Sequence, residues 1–186
     1  GDWVVLSRGG AVFHDENDAV VSRTIRQTAL SGALIGKGNH RHYMLKEIFE
    51  QPTVIGETLN TMFNPATRSI QLPELPFDLA RVPKITIVAC GTSFFAGMVA
   101  KYWFEQIARV NVEIDIASEF RYRDVPLPPG GLALFISQSG ETIDTLAALR
   151  YARGEKQHIA AIVNVAESAM AREADLVLQT HAGPEI

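Results

Sequence analysis

From residue 84 to residue 180 the sequence alternates between short apolar runs and longer amphipathic stretches. ITIVA (85–89), VEIDIA (112–117), LALFIS (132–137), HIAAIVN (158–164) and LVLQT (176–180) have the length and β-branched content of strands. Several are apolar on both faces, which is the pattern of a parallel sheet covered on both sides. Between them, Ser93 to Ile107 and Thr142 to Arg153 read as helices, the second stopped by Gly154. Ser168 to Ala174 reads as a short helix, Ser118 to Tyr122 as one helical turn, and Pro126 to Gly130 as a loop. Strands alternating with helices predict an α/β domain with a doubly wound parallel five-stranded sheet.

The first 83 residues follow a different rhythm. Trp3 to Ser7 and Ala11 to His14 are β-like, and Arg8-Gly9-Gly10 between them predicts a hairpin turn. Asp15 to Asp18 make a second turn, followed by a β-like run from Ala19 to Ile25. Gly32, Gly36 and Gly38 mark a connector over 31–39. Leu45, Ile48, Phe49, Ile55, Leu59 and Met62 then recur at helical steps and form one apolar stripe. Pro52 is expected to kink that helix or to start a second one after Gln51, and Asn64-Pro65 to end it. The expected organisation is 1–36 as the last strands of a preceding domain plus linker, 37–83 as leading helices and connector, and 84–186 as the sheet domain. There is no internal repeat and no low-complexity tract.

Composition narrows the classes. The chain has 186 residues, 47% of them apolar, with a formal net charge of −4. That is enough for one core, and no basic footprint points to nucleic acid. The single cysteine, Cys90, excludes an intramolecular disulfide and fits a reducing, cytoplasmic setting. No apolar run approaches the roughly 18 residues of a membrane span. The opening GDWVVLSRGG lacks the basic start and apolar core of a signal peptide. It begins in mid-strand and HAGPEI stops as abruptly, so the chain is expected to be a piece of a longer one.

The candidate chemistry lies at two strand ends. Cys90-Gly91-Thr92-Ser93 follows ITIVA, and Ser137-Gln138-Ser139-Gly140-Glu141-Thr142 closes LALFIS. Ligands of open parallel sheets bind beyond the carboxyl ends of the strands. Gly91 and Gly140 allow backbone amides to approach a ligand, and both loops lead into helices whose unpaired N–H groups favour anions. Thr92, Ser93, Ser137, Ser139 and Thr142 add hydroxyl donors, and the whole suits a dianion such as a phosphate monoester. Each hydrogen bond to a charged partner is worth roughly 1.5–3 kcal/mol. Four or five of them support a ligand held at about micromolar to millimolar concentration. Neither loop carries lysine or arginine, which suits a substrate that must leave. The plainer alternative is that Ser93 and Thr142 only cap helices while the glycines make turns. No G-x-x-x-x-G-K-[ST] and no G-x-G-x-x-G occurs.

With CGTS and SQSGET both present, the chain resembles the glutamine–fructose-6-phosphate aminotransferase (isomerising) family, in particular the first of its two SIS (sugar isomerase) units. RHYMLKEIFEQP (41–52), ASEFRYR (117–123) and HAGPEI (181–186) extend the resemblance over residues 41 to 186. Residues 1 to 36 resemble, more loosely, the end of that family's glutaminase domain. The resemblance implies an SIS, flavodoxin-like sheet in an enzyme that makes glucosamine 6-phosphate from fructose 6-phosphate and glutamine. It implies no metal or organic cofactor, a cytoplasmic homodimer, and the rest of the same enzyme as partner. Carried over by motif, Ser93, Ser137, Gln138, Ser139 and Thr142 hold the sugar phosphate, with Thr92 as a further contact. Cys90, Gly91 and Gly140 shape the pocket. The family's isomerase base, ring-opening histidine, Schiff-base lysine and N-terminal cysteine nucleophile have no matching positions here, so the chain is expected to bind rather than catalyse.

Other residues carry less. Glu141 is expected to complement the dipole of the helix after SQSGET. His40 and His42 lack companion metal ligands. Phe94, Phe95, Met98, Trp103 and Phe104 are expected to serve core and dimer packing. Arg121, Tyr122 and Arg123 read as surface or subunit contacts. Competing readings are an SIS sensor module, a phosphosugar isomerase of another specificity, and an FMN domain, which would want aromatics that the loops lack apart from Phe94.

Overall fold

The computed structural model describes residues 1–24 and 36–184. Its contacts fall into two units, Gly1–Gly36 and Lys37–Ile186. In the first, β1 (Trp3–Ser7) and β2 (Gly10–His14) form the expected antiparallel hairpin, and β3 (Val20–Val21) pairs with β2. Trp3 stacks on His14 with ring centroids 4.1 Å apart. β3 is shorter than the run Ala19–Ile25 suggested. The Asp15 carboxylate accepts the N–H groups of Asn17 (2.9 Å) and Ala19 (3.0 Å), so the turn consumes the start of the run. Ile25 and Gly32 lie outside the described residues.

The second unit opens with α1 (Tyr43–Met62), one uninterrupted helix with Pro52 inside it. The expected restart at Pro52 does not occur; the long helix carries the loss of one N–H donor. Its apolar stripe forms, but no residue of α1 is buried, and Ile48, Phe49, Ile55 and Leu59 are each more than half exposed. A small hairpin, β4 (Phe63–Asn64) with β5 (Ser69–Ile70), follows at the predicted Asn64-Pro65 stop.

The sheet consists of β6 (Lys84–Ala89), β7 (Asn111–Ile116), β8 (Leu132–Ser137), β9 (His158–Val163) and β10 (Leu176–Gln179). All are parallel, in the spatial order β10-β9-β8-β6-β7. Alternate residues of the strands feed two cores. Val88, Ala133, Phe135, Ile159, Ala161 and Val163 pack under α3 (Ala117–Phe120), α4 (Ile143–Gly154) and α5 (Ala169–Glu173). Ile85, Ile87, Leu132, Leu134 and Ala160 face α2 (Gly91–Trp103) and the segment around Leu75 to Val82.

α2 begins two residues before the expected Ser93 and ends earlier than Ile107. At Phe104–Ala108 it passes into a π-helical turn that closes at Arg109, whose φ is 56°. The aromatics of this segment divide. Phe104 packs on the second core, whereas Phe95 and Trp103 are 63% and 61% exposed and fill no core within the chain.

This strand order places a switch point between β6 and β8. The chain leaves β6 toward β7 on one side, then returns to build β8, β9 and β10 on the other. The helices that follow β6 and β8, α2 and α4, therefore lie on opposite faces, and the loops beneath them part to leave a crevice.

Candidate functional site

β6 and β8 are hydrogen-bonded neighbours with Ala89 paired to Ile136, so the two polar loops emerge side by side. The cleft between them, about 220 Å³, is lined by Cys90, Ser93, Ile136, Ser137, Gln138, Ser139, Thr142 and Thr145. Thr92 instead lines an adjoining cavity with Glu47, Glu50, Gln51 and Gln138, so Gln138 borders both spaces. Gly91 and Gly140 do not line the cleft but set its backbone, with φ of 57° and 64° in the left-handed region.

The second loop is prefolded. The hydroxyl of Ser137, a buried residue, accepts the Gly140 N–H at 3.1 Å and lies 3.3 Å from the Thr142 hydroxyl. The Ser139 hydroxyl accepts the Glu141 N–H at 3.3 Å. A serine oxygen that accepts a backbone N–H can still donate its own O–H; of Ser137 and Thr142 one donates to the other, which leaves the other's proton and that of Ser139 for the cleft. The Gln138 carbonyl accepts from Asn164 N–H at 3.0 Å, and the Gly140 carbonyl from Met170 N–H at 3.0 Å, which ties the loop to the end of β9 and to α5. Gly140 is also pressed against Ser168: a Cβ at Gly140 would stand 2.2 Å from the Ser168 hydroxyl oxygen.

Glu141 departs from expectation. It precedes α4, and its side chain accepts the Ala169 N–H at 2.6 Å, capping α5 instead of serving the α4 dipole. The Ser168 hydroxyl accepts from Ala171 N–H at 3.3 Å at the same helix end. The two helices aimed at the cleft have no such cap, as is also true of α1 and α3. Cys90 and Thr142 are the N-cap residues of α2 and α4, and neither makes a side-chain cap bond; Ser93 stands in the first turn of α2. The reading in which Ser93 and Thr142 are mere caps is therefore wrong. The first-turn N–H groups of both helices are left for another acceptor.

Asp144, in the first turn of α4, would repel an anion, but Arg121 holds it at 2.6 Å. The same hydrogen bond raises the pKa of Arg121 above its ordinary value. Arg121 thus neutralises a carboxylate close to the site, a role beyond the surface contact its sequence suggested. Arg123 pairs likewise with Asp115. Cys90 is half-buried and packs against the α3–α4–α5 core while lining the cleft, which suits a shaping role. Among the described residues no group of His, Cys, Asp and Glu could hold a metal ion. His40 stacks on Phe49 with ring centroids 5.7 Å apart, and His42 is the N-cap residue of α1. No helix among the described residues is long and apolar enough to cross a membrane.

Two lining residues escaped the sequence reading. Ile136 sits one residue before the loop and reads as plain strand. Thr145 lies three residues after Thr142, on the same helix face, and that spacing is the signal that could have found it.

The chain is similar to known proteins over its whole length. The chain is 58% identical over 186 residues to a glutamine–fructose-6-phosphate aminotransferase (isomerising) of Zymomonas mobilis, and 56% identical over 187 residues to one of Bradyrhizobium diazoefficiens. Each match covers the whole chain but only 31% of the relative, so the chain spans about a third of the length of these curated relatives. Among solved structures, the C-terminal domain of a glucosamine-fructose-6-phosphate aminotransferase from Francisella tularensis aligns with a TM-score of 0.71 at 43% identity. That alignment covers 81% of this chain and 42% of the other. A glucosamine-6-phosphate deaminase from Thermotoga maritima shares the fold, with a TM-score of 0.60 at 23% identity over 75% of this chain and 40% of the other. The SIS domain profile matches residues 78–186, which hold the whole parallel sheet and both loops of the cleft, and the chain therefore belongs to the SIS domain family.

Proposed function

We propose that this chain holds the phosphate end of a hexose phosphate, fructose 6-phosphate or glucosamine 6-phosphate, in the cleft between 90–93 and 137–142. It does so as the first SIS unit of a glutamine–fructose-6-phosphate aminotransferase (isomerising). The observation that carries the reading is that two helices with no side-chain cap, α2 and α4, begin at one cleft lined by the hydroxyl residues Ser93, Ser137, Ser139 and Thr142. α2 and α4, which converge on the cleft, lack side-chain caps, while the neighbouring α5 is capped by both Glu141 and Ser168. Uncapped N–H groups, with hydroxyls of which two already accept a backbone N–H, suit a ligand that only accepts hydrogen bonds and carries negative charge. Names of relatives more than half identical over the whole chain support the choice of sugar.

In this reading Ser93, Ser137, Ser139 and Thr142 donate to the phosphoryl oxygens, and Gln138 reaches from the phosphate toward the sugar. Thr92 acts from the adjoining cavity. Gly91, Gly140 and Cys90 set the shape. The chain contributes binding and orientation, and no residue of it is assigned to proton transfer or to ammonia release. Residues 1–36 are the end of a glutaminase domain, 37–83 lead into the isomerase, and 84–186 form the sugar-phosphate unit. The working enzyme is a cytoplasmic homodimer in which a second SIS unit completes the active site.

Calorimetric titration tests this. Fructose 6-phosphate and inorganic phosphate should both bind at about micromolar to millimolar concentration, and unphosphorylated fructose should not. Equal heats from fructose and its phosphate would refute a phosphate cradle.

A further inference from the structure

Thr145 lies in the first turn of α4, beside Leu146, Ala148, Leu149 and Ala152, all of which are buried in the core. It is itself only 1% exposed. A valine would fill that space without bringing a hydroxyl into it. Among the described residues the Thr145 hydroxyl makes no hydrogen bond, although Ser137 and Thr142 beside it bond to one another. Yet no buried side-chain oxygen or nitrogen among them is sealed off without a partner. The little surface Thr145 retains therefore belongs to its hydroxyl, and the space that surface meets is the cleft between the two loops.

We propose that the Thr145 hydroxyl is a direct contact of the phosphoryl group bound in this cleft, a donor at its inner end beneath Ser137 and Thr142. The inference rests on the phosphate-ester reading of the site and adds to it a residue outside the SQSGET loop. Thr142 and Thr145 stand three residues apart on one helix face, so both hydroxyls can address one ligand. A buried donor with no partner in the protein is costly, and an acceptor entering the cleft relieves that cost. The inner donor also favours a compact, acceptor-only headgroup over a sugar hydroxyl, which would bring its own donor to compete.

The test uses the chain with Thr145→Val, which keeps the shape and removes the hydroxyl, and Thr145→Ser, which keeps the hydroxyl. Inorganic phosphate and fructose 6-phosphate serve as probes by calorimetry, and melting temperature is recorded in parallel. Thr145→Val should bind both probes about tenfold more weakly, a change of about 1.4 kcal/mol. Its melting temperature should hold or rise, because an unpartnered buried hydroxyl has been removed. Thr145→Ser should stay within about threefold of the original chain. If the original chain binds both probes and Thr145→Val binds them equally well, the hydroxyl serves only cavity water and the assignment is overturned. If the original chain binds neither probe, the phosphate reading itself falls and this assignment with it.

Discussion

The two loops of the cleft look alike in sequence, each a glycine among hydroxyls at a strand end, yet the structure builds them in opposite ways. The first, 90–93, is open: Gly91 and Thr92 are exposed, and a Cβ added at Gly91 would meet nothing within 4 Å. The second is braced from within by Ser137 and Ser139 and from outside by Asn164, Ser168, Ala169 and Met170. One loop is a prefolded cradle and the other a lightly held flap of helix N-terminus. Both glycines have positive φ, so backbone strain alone does not separate them; packing does.

The largest effect should follow from Gly140→Ala. The new methyl would overlap Ser168, and the left-handed backbone adds its own strain. A loss of about 3 kcal/mol or more is expected, read as a lower melting temperature together with lost phosphate binding. Adding Ser168→Gly in the same chain should recover part of it, because the overlap goes while the backbone strain stays. Next is Glu141→Ala, which removes a charged cap from α5 and one brace of the loop. It should cost about 1–2 kcal/mol of stability in urea melts and weaken binding several-fold, while Glu141→Gln keeps most of both. Gly91→Ala should cost only about 1 kcal/mol, the left-handed strain without a clash. If Gly91→Ala proves as damaging as Gly140→Ala, the contrast between the loops is wrong.

The smallest effect is electrostatic. Arg150 on α4 holds Glu173 on α5 at 2.5 Å, clasping together the two helices that flank the second loop. The hydrogen bond from Arg150 holds the Glu173 pKa below its ordinary value. A carboxylate depressed in the folded state stabilises fully above its unfolded pKa, and that contribution is lost as pH falls through the lower folded value. Melting temperature should therefore decline below the ordinary carboxylate range, and Glu173→Gln should flatten that decline. Amide exchange should quicken in 137–142 before 90–93 over the same range.

The sheet was legible in the sequence because its strands are continuous apolar runs separated by amphipathic stretches, and each of the five formed within about two residues of expectation. The pairing of β6 with β8 brings the two loops side by side, although β7 lies between those strands in the chain. What escaped were contacts between elements distant in the chain. Glu141 sits beside one helix and caps another, Ala169 lying 28 residues away, and no local pattern records that. Thr145 reads as one more core position of an amphipathic helix until the cleft is seen beside it. The stripe of α1 was read correctly as apolar and helical, but periodicity cannot say what covers it, and within this chain no residue of it is buried.

The central claim is that two unlike loops grip one phosphate together. Backbone amide shifts during titration of the isotopically labelled chain with fructose 6-phosphate, beside fructose as a blank, address it most directly. The account predicts saturable shifts at 91–93 and 138–142 with a single shared midpoint, and none with fructose. Shifts confined to one loop, two different midpoints, or the same response to fructose would contradict it.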